Sequence, residues 1–114
     1  MRRDRERLLD ILEALDSLKQ IIGNSTEIDF LSNDLLYHAV GRLLTVIGEA
    51  ASGLSIELRQ KAPGTRWRSI IGLRNILVHE YFGVHRPMVW QVATTDAPRL
   101  RDQILAILQA EFPD

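Results

Sequence analysis

Apolar residues recur along this chain at the spacing of a helix, and no stretch of any length alternates like a strand. Leu8, Ile11, Leu12, Leu15, Leu18 and Ile22 return every three or four positions, with Asp10, Glu13 and Asp16 on the opposite side. That period gathers the apolar groups into one stripe, which a second element must cover. It predicts a first helix from about Arg5 to Ile22. Gly23-Asn24-Ser25 should end it, since such residues tolerate left-handed backbone. A second helix should start from a cap at Ser32 or Asn33 and reach about Leu54, with the stripe Leu36, Val40, Leu43, Ile47, Ala50, Leu54. This seven-residue repeat suits antiparallel packing in a bundle. Ser55 to Thr65, punctuated by Pro63-Gly64, reads as a connection. A third helix follows from about Trp67 to Val78, and Pro87 opens a short helical piece with Met88, Val89 and Trp90. Thr94 or Thr95 should cap the last helix, with Asp96 and Pro98 in its first turn. Leu100, Ile104, Ile107 and Leu108 then face inward, and Phe112 closes the end. The expected fold is all-α, an up-and-down bundle of four to five helices in a single domain spanning residues 1–114.

The second helix carries two further stripes. Gly41, Thr45, Gly48 and Ser52 are small and share a face. A glycine inside a helix costs about 1 kcal/mol relative to alanine, so two on one face mark a close approach, by a helix of this chain or of a second copy. His38, Arg42, Thr45 and Glu49 form an overlapping polar stripe.

Composition removes several classes of function. There are no cysteines, which excludes disulfides and thiolate metal sites. No apolar run approaches the roughly 18 residues of a membrane span. The opening Arg2-Arg3-Asp4-Arg5-Glu6-Arg7 mixes acids with bases, unlike a cleaved secretion signal. A cytoplasmic setting is expected. His38, His79 and His85 include no pair at the spacing of a helical zinc site, and neither a phosphate-cradling glycine loop nor a nucleophile elbow is present. No metal and no cofactor are expected.

The net charge of −1 conceals a division. Between Leu8 and Leu58 there are two basic and eight acidic residues; between Arg59 and Arg101 there are eight basic and two acidic. Uneven surface charge would explain this, and so would a basic surface that attracts a polyanion. Arg59, Lys61, Arg66 and Arg68 are the candidates for phosphate contacts. Trp67 and Trp90 could stack bases, although tryptophans in apolar helices mostly belong to the core.

Arg74-Asn75-Ile76-Leu77-Val78-His79-Glu80-Tyr81 places an arginine, a histidine and a tyrosine on a segment that otherwise reads as a buried helix. Polar heads withdrawn from water need partners. A guanidinium can fork onto a phosphate and an imidazole can move protons near neutral pH. Arg74 by itself fits equally a snorkelling side chain paired with an acid and a fixed cation lining a cleft. On one unbroken helix His79 would lie about 140° round from Arg74. Either the helix loosens before His79, or two chains pool their motifs. Tyr81 would return to the face of Arg74.

Arg74-x4-His79-x-Tyr81 resembles the signature of the HEPN superfamily, and more narrowly the HepT-like toxins. Val46-Ile47-Gly48-Glu49-Ala50-Ala51 is similar to that family's second-helix motif. So are the run from Trp67 to Asn75, Tyr81-Phe82-Gly83-Val84 and Val89-Trp90. The resemblance implies a homodimer with the cleft at its interface. It implies a metal-independent endoribonuclease with Arg74 and His79 as catalytic residues and Asn75 in support, giving a 2′,3′-cyclic phosphate. It further implies a toxin–antitoxin system of the type VII kind, in which a cognate minimal nucleotidyltransferase antitoxin adenylylates Tyr81. The alternative is a non-catalytic nucleotide- or RNA-binding module, or a scaffold, paired with a nucleotidyltransferase.

Overall fold

A computed structural model describes residues 2–78 and 85–113 of the chain. These form α1 (Arg2–Ile22), α2 (Glu27–Ser32), α3 (Asp34–Ser52), α4 (Ile56–Gln60), α5 (Trp67–Val78), α6 (Arg86–Gln91), a π-helical turn (Val92–Asp96) and α7 (Ala97–Glu111). No strand occurs among the described residues. The long helices α1, α3, α5 and α7 make the expected all-α, up-and-down bundle, and the short ones sit at its connections.

Contacts across the bundle fix the helix directions. Asp4 at the start of α1 accepts hydrogen bonds from Ser55, just beyond α3, so α1 and α3 run antiparallel. Gly48 of α3 meets Ile70, and Gly41 meets Leu77, so α5 runs back along α3. Arg101 near the start of α7 donates to Asp16 in the second half of α1 at 2.6 Å.

The helical period of α1 is spent as predicted: Leu8, Ile11, Leu15, Leu18 and Ile22 are all buried. The helix stops at Gly23, whose φ of +50° is left-handed and whose N–H returns to the Lys19 carbonyl at 3.0 Å. On α3 the buried stripe is Tyr37, Val40, Leu44, Ile47 and Ala51, while Leu36 and Leu43 are only half-buried. Because α3 packs on both α1 and α5, its covered surface is wider than one heptad seam and centred one residue along. The small-residue face is used within the chain, since α5 lies on it.

Two short helices go beyond the sequence expectation: α2 falls where no element is expected, and α4 in the stretch read as a connection. Thr26 and Asp29 form a reciprocal capping box that starts α2. Ser55 caps α4, accepting from the Leu58 N–H at 3.1 Å while its own N–H and hydroxyl go to Asp4. Burial raises the Asp4 carboxyl, but these hydrogen bonds and the Arg7 charge outweigh it and hold the group below its ordinary value. Nearby, a Cβ at Gly53 would collide with the Arg7 guanidinium.

The last helix departs from the sequence expectation. Neither Thr94 nor Thr95 caps it. The backbone runs without a break from α6 through the π turn into α7, and the Thr94 hydroxyl donates back to the Trp90 carbonyl at 2.7 Å. A threonine that can satisfy its hydroxyl on the preceding turn need not end a helix.

On its other side α5 is less supported. It packs on α3, but no comparable packing joins it to α7 among the described residues. Between them lies a cavity of about 400 Å³ with Leu15, Leu44 and Ile47 as its floor. No helix of the described residues is long and apolar enough to cross a membrane.

Candidate functional site

The absence of a side chain at Gly48 brings α5 onto α3. A Cβ there would sit 3.0 Å from the Ile70 carbonyl oxygen and 3.4 Å from the Arg74 nitrogen. The backbone of Arg74 is thus set against α3, and its side chain emerges at the edge of the contact. There its Nε lies 3.5 Å from Oε1 of Glu49, with the two side chains 51% and 56% exposed. The pair runs through Nε, and half of the arginine side chain faces solvent. Of the two readings of Arg74, the described residues show the first, a side chain paired with an acid. Asn75 is exposed beside it.

His79 and Tyr81 lie outside the described residues. The described ends on either side both rest on the first half of α3. Before them, Leu77 packs over Gly41. After them, Arg86 pairs with Asp34 at 2.8 Å and lies 4.2 Å over the Tyr37 ring. Tyr37 in turn meets Phe30 and His38 edge-on, and Phe30 meets Trp90. Arg86, Asp34 and Tyr37 did not stand out in the sequence, because a cation over an aromatic ring has no spacing rule when its members are far apart in the chain.

The basic residues are dispersed. Arg59 and Arg68 line one groove with Ile56 and Trp67. Arg66 lines the cavity between α5 and α7. Lys61 pairs with Glu111 at 3.1 Å. The Trp67 ring is buried, its N–H shared between the carbonyls of Arg59 and Ala62 at 3.2 and 3.1 Å, so it is held as core. Among the described residues no group of three or more His, Asp or Glu side chains is placed to hold a metal ion.

This arrangement defines a helical bundle with a solvent-facing arginine at the seam of α3 and α5. A family model described as ribonuclease HepT-like matches residues 11–107. The chain belongs to the HepT-like ribonuclease family, within the HEPN superfamily. A protein of Caldanaerobacter subterraneus subsp. tengcongensis, named provisionally as an RNase, is 35% identical over 111 residues, 97% of this chain and 99% of that one. A provisionally named RNase of Methanocaldococcus jannaschii is 33% identical over 97 residues, 85% of this chain and 89% of its own. A protein of Thermococcus cleftensis named as a probable ribonuclease HepT is 31% identical over 100 residues, covering 88% and 91%. No solved structure matches the chain.

Proposed function

We propose that this protein is the toxin of a toxin–antitoxin pair and acts as a metal-independent endoribonuclease. The observation that carries the reading is the placement of Arg74: set in backbone by the Gly48 contact, ion-paired at Nε with Glu49, and half exposed to solvent. A guanidinium so placed can take two phosphoryl oxygens at once. In the reaction the RNA 2′-oxygen attacks the adjacent phosphorus while its proton passes to a base. The P–O5′ bond breaks, and the leaving oxygen takes a proton. His79 is the group for these proton transfers, and Arg74 stabilises the charge that grows on the phosphoryl oxygens. The products are a 2′,3′-cyclic phosphate and a 5′-hydroxyl end; DNA, lacking the nucleophile, is spared. Asn75 supports the cleft, and Arg59, Lys61, Arg66 and Arg68 contribute RNA affinity.

The partners in this reading are RNA, a second copy of the chain and a minimal nucleotidyltransferase antitoxin, in the cytoplasm. Tyr81, two residues from His79, is the acceptor of adenylyl groups. The added phosphate would exclude RNA by bulk and like charge. The alternative, a binding module that does not cut, makes the same fold and the same charges but predicts no cleavage.

The test is cleavage of RNA by wild type, Arg74→Ala and His79→Ala. Each variant should lose on the order of a hundredfold or more in rate while staying folded. EDTA should leave the wild-type rate unchanged. Cleavage abolished by EDTA and restored by a divalent metal would sink the mechanism. After co-expression with the nucleotidyltransferase, intact mass should rise by AMP units in wild type and not in Tyr81→Phe.

A further inference from the structure

The six residues from His79 to Val84 include two members of the motif, and the chain on either side of them is tied to the first half of α3. On the leading side the tie is apolar, Leu77 over Gly41. On the trailing side it is made by Arg86. Its Nη2 pairs with Asp34 at 2.8 Å, and its guanidinium carbon lies 4.2 Å from the centre of the Tyr37 ring. The Asp34 side chain is 79% exposed, so the ion pair adds little stability by itself. What the two contacts fix is direction. The ring sets the plane of the guanidinium, and the carboxylate sets where it points.

The platform under Arg86 is built from side chains of α2 and α3. Tyr37 is buried and meets Phe30 and His38 edge-on, with ring centres 5.8 and 5.4 Å away. Arg86 is the first residue of α6, and the ring of Pro87 beside it fixes the backbone there. Apolar packing already holds α6 to the bundle, since Val89 is buried and Trp90 lies against Phe30. The clamp on Arg86 acts at a different point, where the motif segment enters α6.

We propose that Arg86 is a positioning residue for the arginine–histidine motif: clamped on Asp34 and Tyr37, it sets the trailing end of the His79 segment relative to the leading end at Leu77. This rests on the ribonuclease reading. Proton transfer needs the imidazole within hydrogen-bond reach of the reacting oxygens, and a misplacement of about 1 Å costs on the order of a hundredfold. Holding both ends of a short segment removes most of the conformations it would have with one end released. Arg86 acts through the segment and not on RNA, because its charge is committed to Asp34 and one face of its guanidinium to Tyr37.

The experiment is steady-state cleavage of a single-stranded RNA oligonucleotide by wild type, Arg86→Ala, Arg86→Lys and the double variant Arg86→Ala, Asp34→Ala. Arg86→Ala should lower kcat about tenfold and leave KM within about twofold, since it displaces a reacting group and leaves RNA binding intact. Arg86→Lys keeps the charge but not the planar contact, and its kcat should fall between. Adding Asp34→Ala to Arg86→Ala should cost nothing more, because both act through one contact. A loss carried by KM would make Arg86 an RNA contact, and an unchanged kcat would make the clamp structural only; either overturns the proposal. A second readout needs no cleavage. The NMR methyl signals of Leu77, at the other end of the segment, should shift in Arg86→Ala, while those of Ile104 in the core stay in place and report an intact fold. Unmoved Leu77 signals overturn the proposal. Should Arg86→Ala unfold, Arg86→Lys carries both readouts. If the wild type cuts no RNA, the ribonuclease reading fails, and the Leu77 signals still decide whether the clamp at Arg86 sets one end of the segment against the other.

Discussion

Gly48 and Gly72 look alike in sequence, since each interrupts a helix, yet their surroundings set them apart. A Cβ at Gly48 would press on the backbone of α5, whereas one at Gly72 meets nothing within 4 Å. Gly72→Ala should therefore raise stability by about 0.5–1 kcal/mol, through helix propensity alone. Gly48→Ala gains the same propensity but must push α5 away, at a cost of roughly 1–3 kcal/mol, and it displaces Arg74. Thermal unfolding of the two variants checks this, and opposite signs of ΔTm are expected. The importance of Arg74 was legible from its place in the motif. Its hold on Glu49 was visible only as a polar stripe on α3, because residues 25 apart carry no local signal of contact. The same limit applied to the basic residues: a count of charges places them in one half of the chain but does not say which way each one faces.

At the level of elements, the long helices followed from apolar period, and the short ones did not. The Thr26–Asp29 capping box was readable, but a six-residue helix has too few turns for a stripe to be recognised. α4 is held less by its own sequence than by Asp4, which receives both the N–H and the hydroxyl of its cap residue Ser55. Asp4→Ala leaves these donors without their acceptor and should cost about 1–3 kcal/mol. Because the folded-state carboxyl titrates below its ordinary value, its contribution is complete above that value and is lost as pH falls through the lower, folded one. Wild-type Tm should then drop more steeply than that of Asp4→Ala below about pH 4. Parallel curves from pH 2 to 7 would show that Asp4 does not couple folding to protonation.

For the whole molecule, the small-residue face of α3 is occupied by α5 and is not free for a second copy. The proposed dimer needs another surface. Ile28 and Leu35, 78% and 83% exposed, are the most exposed large apolar side chains among the described residues and lie at the junction of α2 and α3. This is the end of α3 on which Leu77 and Arg86 rest. A pairing there would set the described flanks of the motif, Leu77 and Arg86, near those of the second copy. Light scattering at micromolar concentration should report a dimer for wild type and a monomer for the double variant Ile28→Asp, Leu35→Asp, with RNA cleavage lost in the latter. A monomeric wild type that still cuts RNA would remove the need for pooled motifs.

The π turn also determines how the chain responds to a change in length. A turn closed by i→i+5 bonds holds one residue more than an α-turn, so Val92–Asp96 is a place where a single residue can be lost without rotating the helix beyond it. Elsewhere in the run from Arg86 to Glu111 a one-residue deletion turns every later side chain by about 100°. Removing Thr95 should rewind the turn to α-helix and leave Leu100, Ile104 and Ile107 on the core. Removing the equally exposed Asp102 should swing Ile104 and Ile107 into solvent and unfold the bundle. Related chains that differ by one residue in length here would keep the same core, so the bundle tolerates an insertion at the rim of the cavity that it could not accept anywhere along α7.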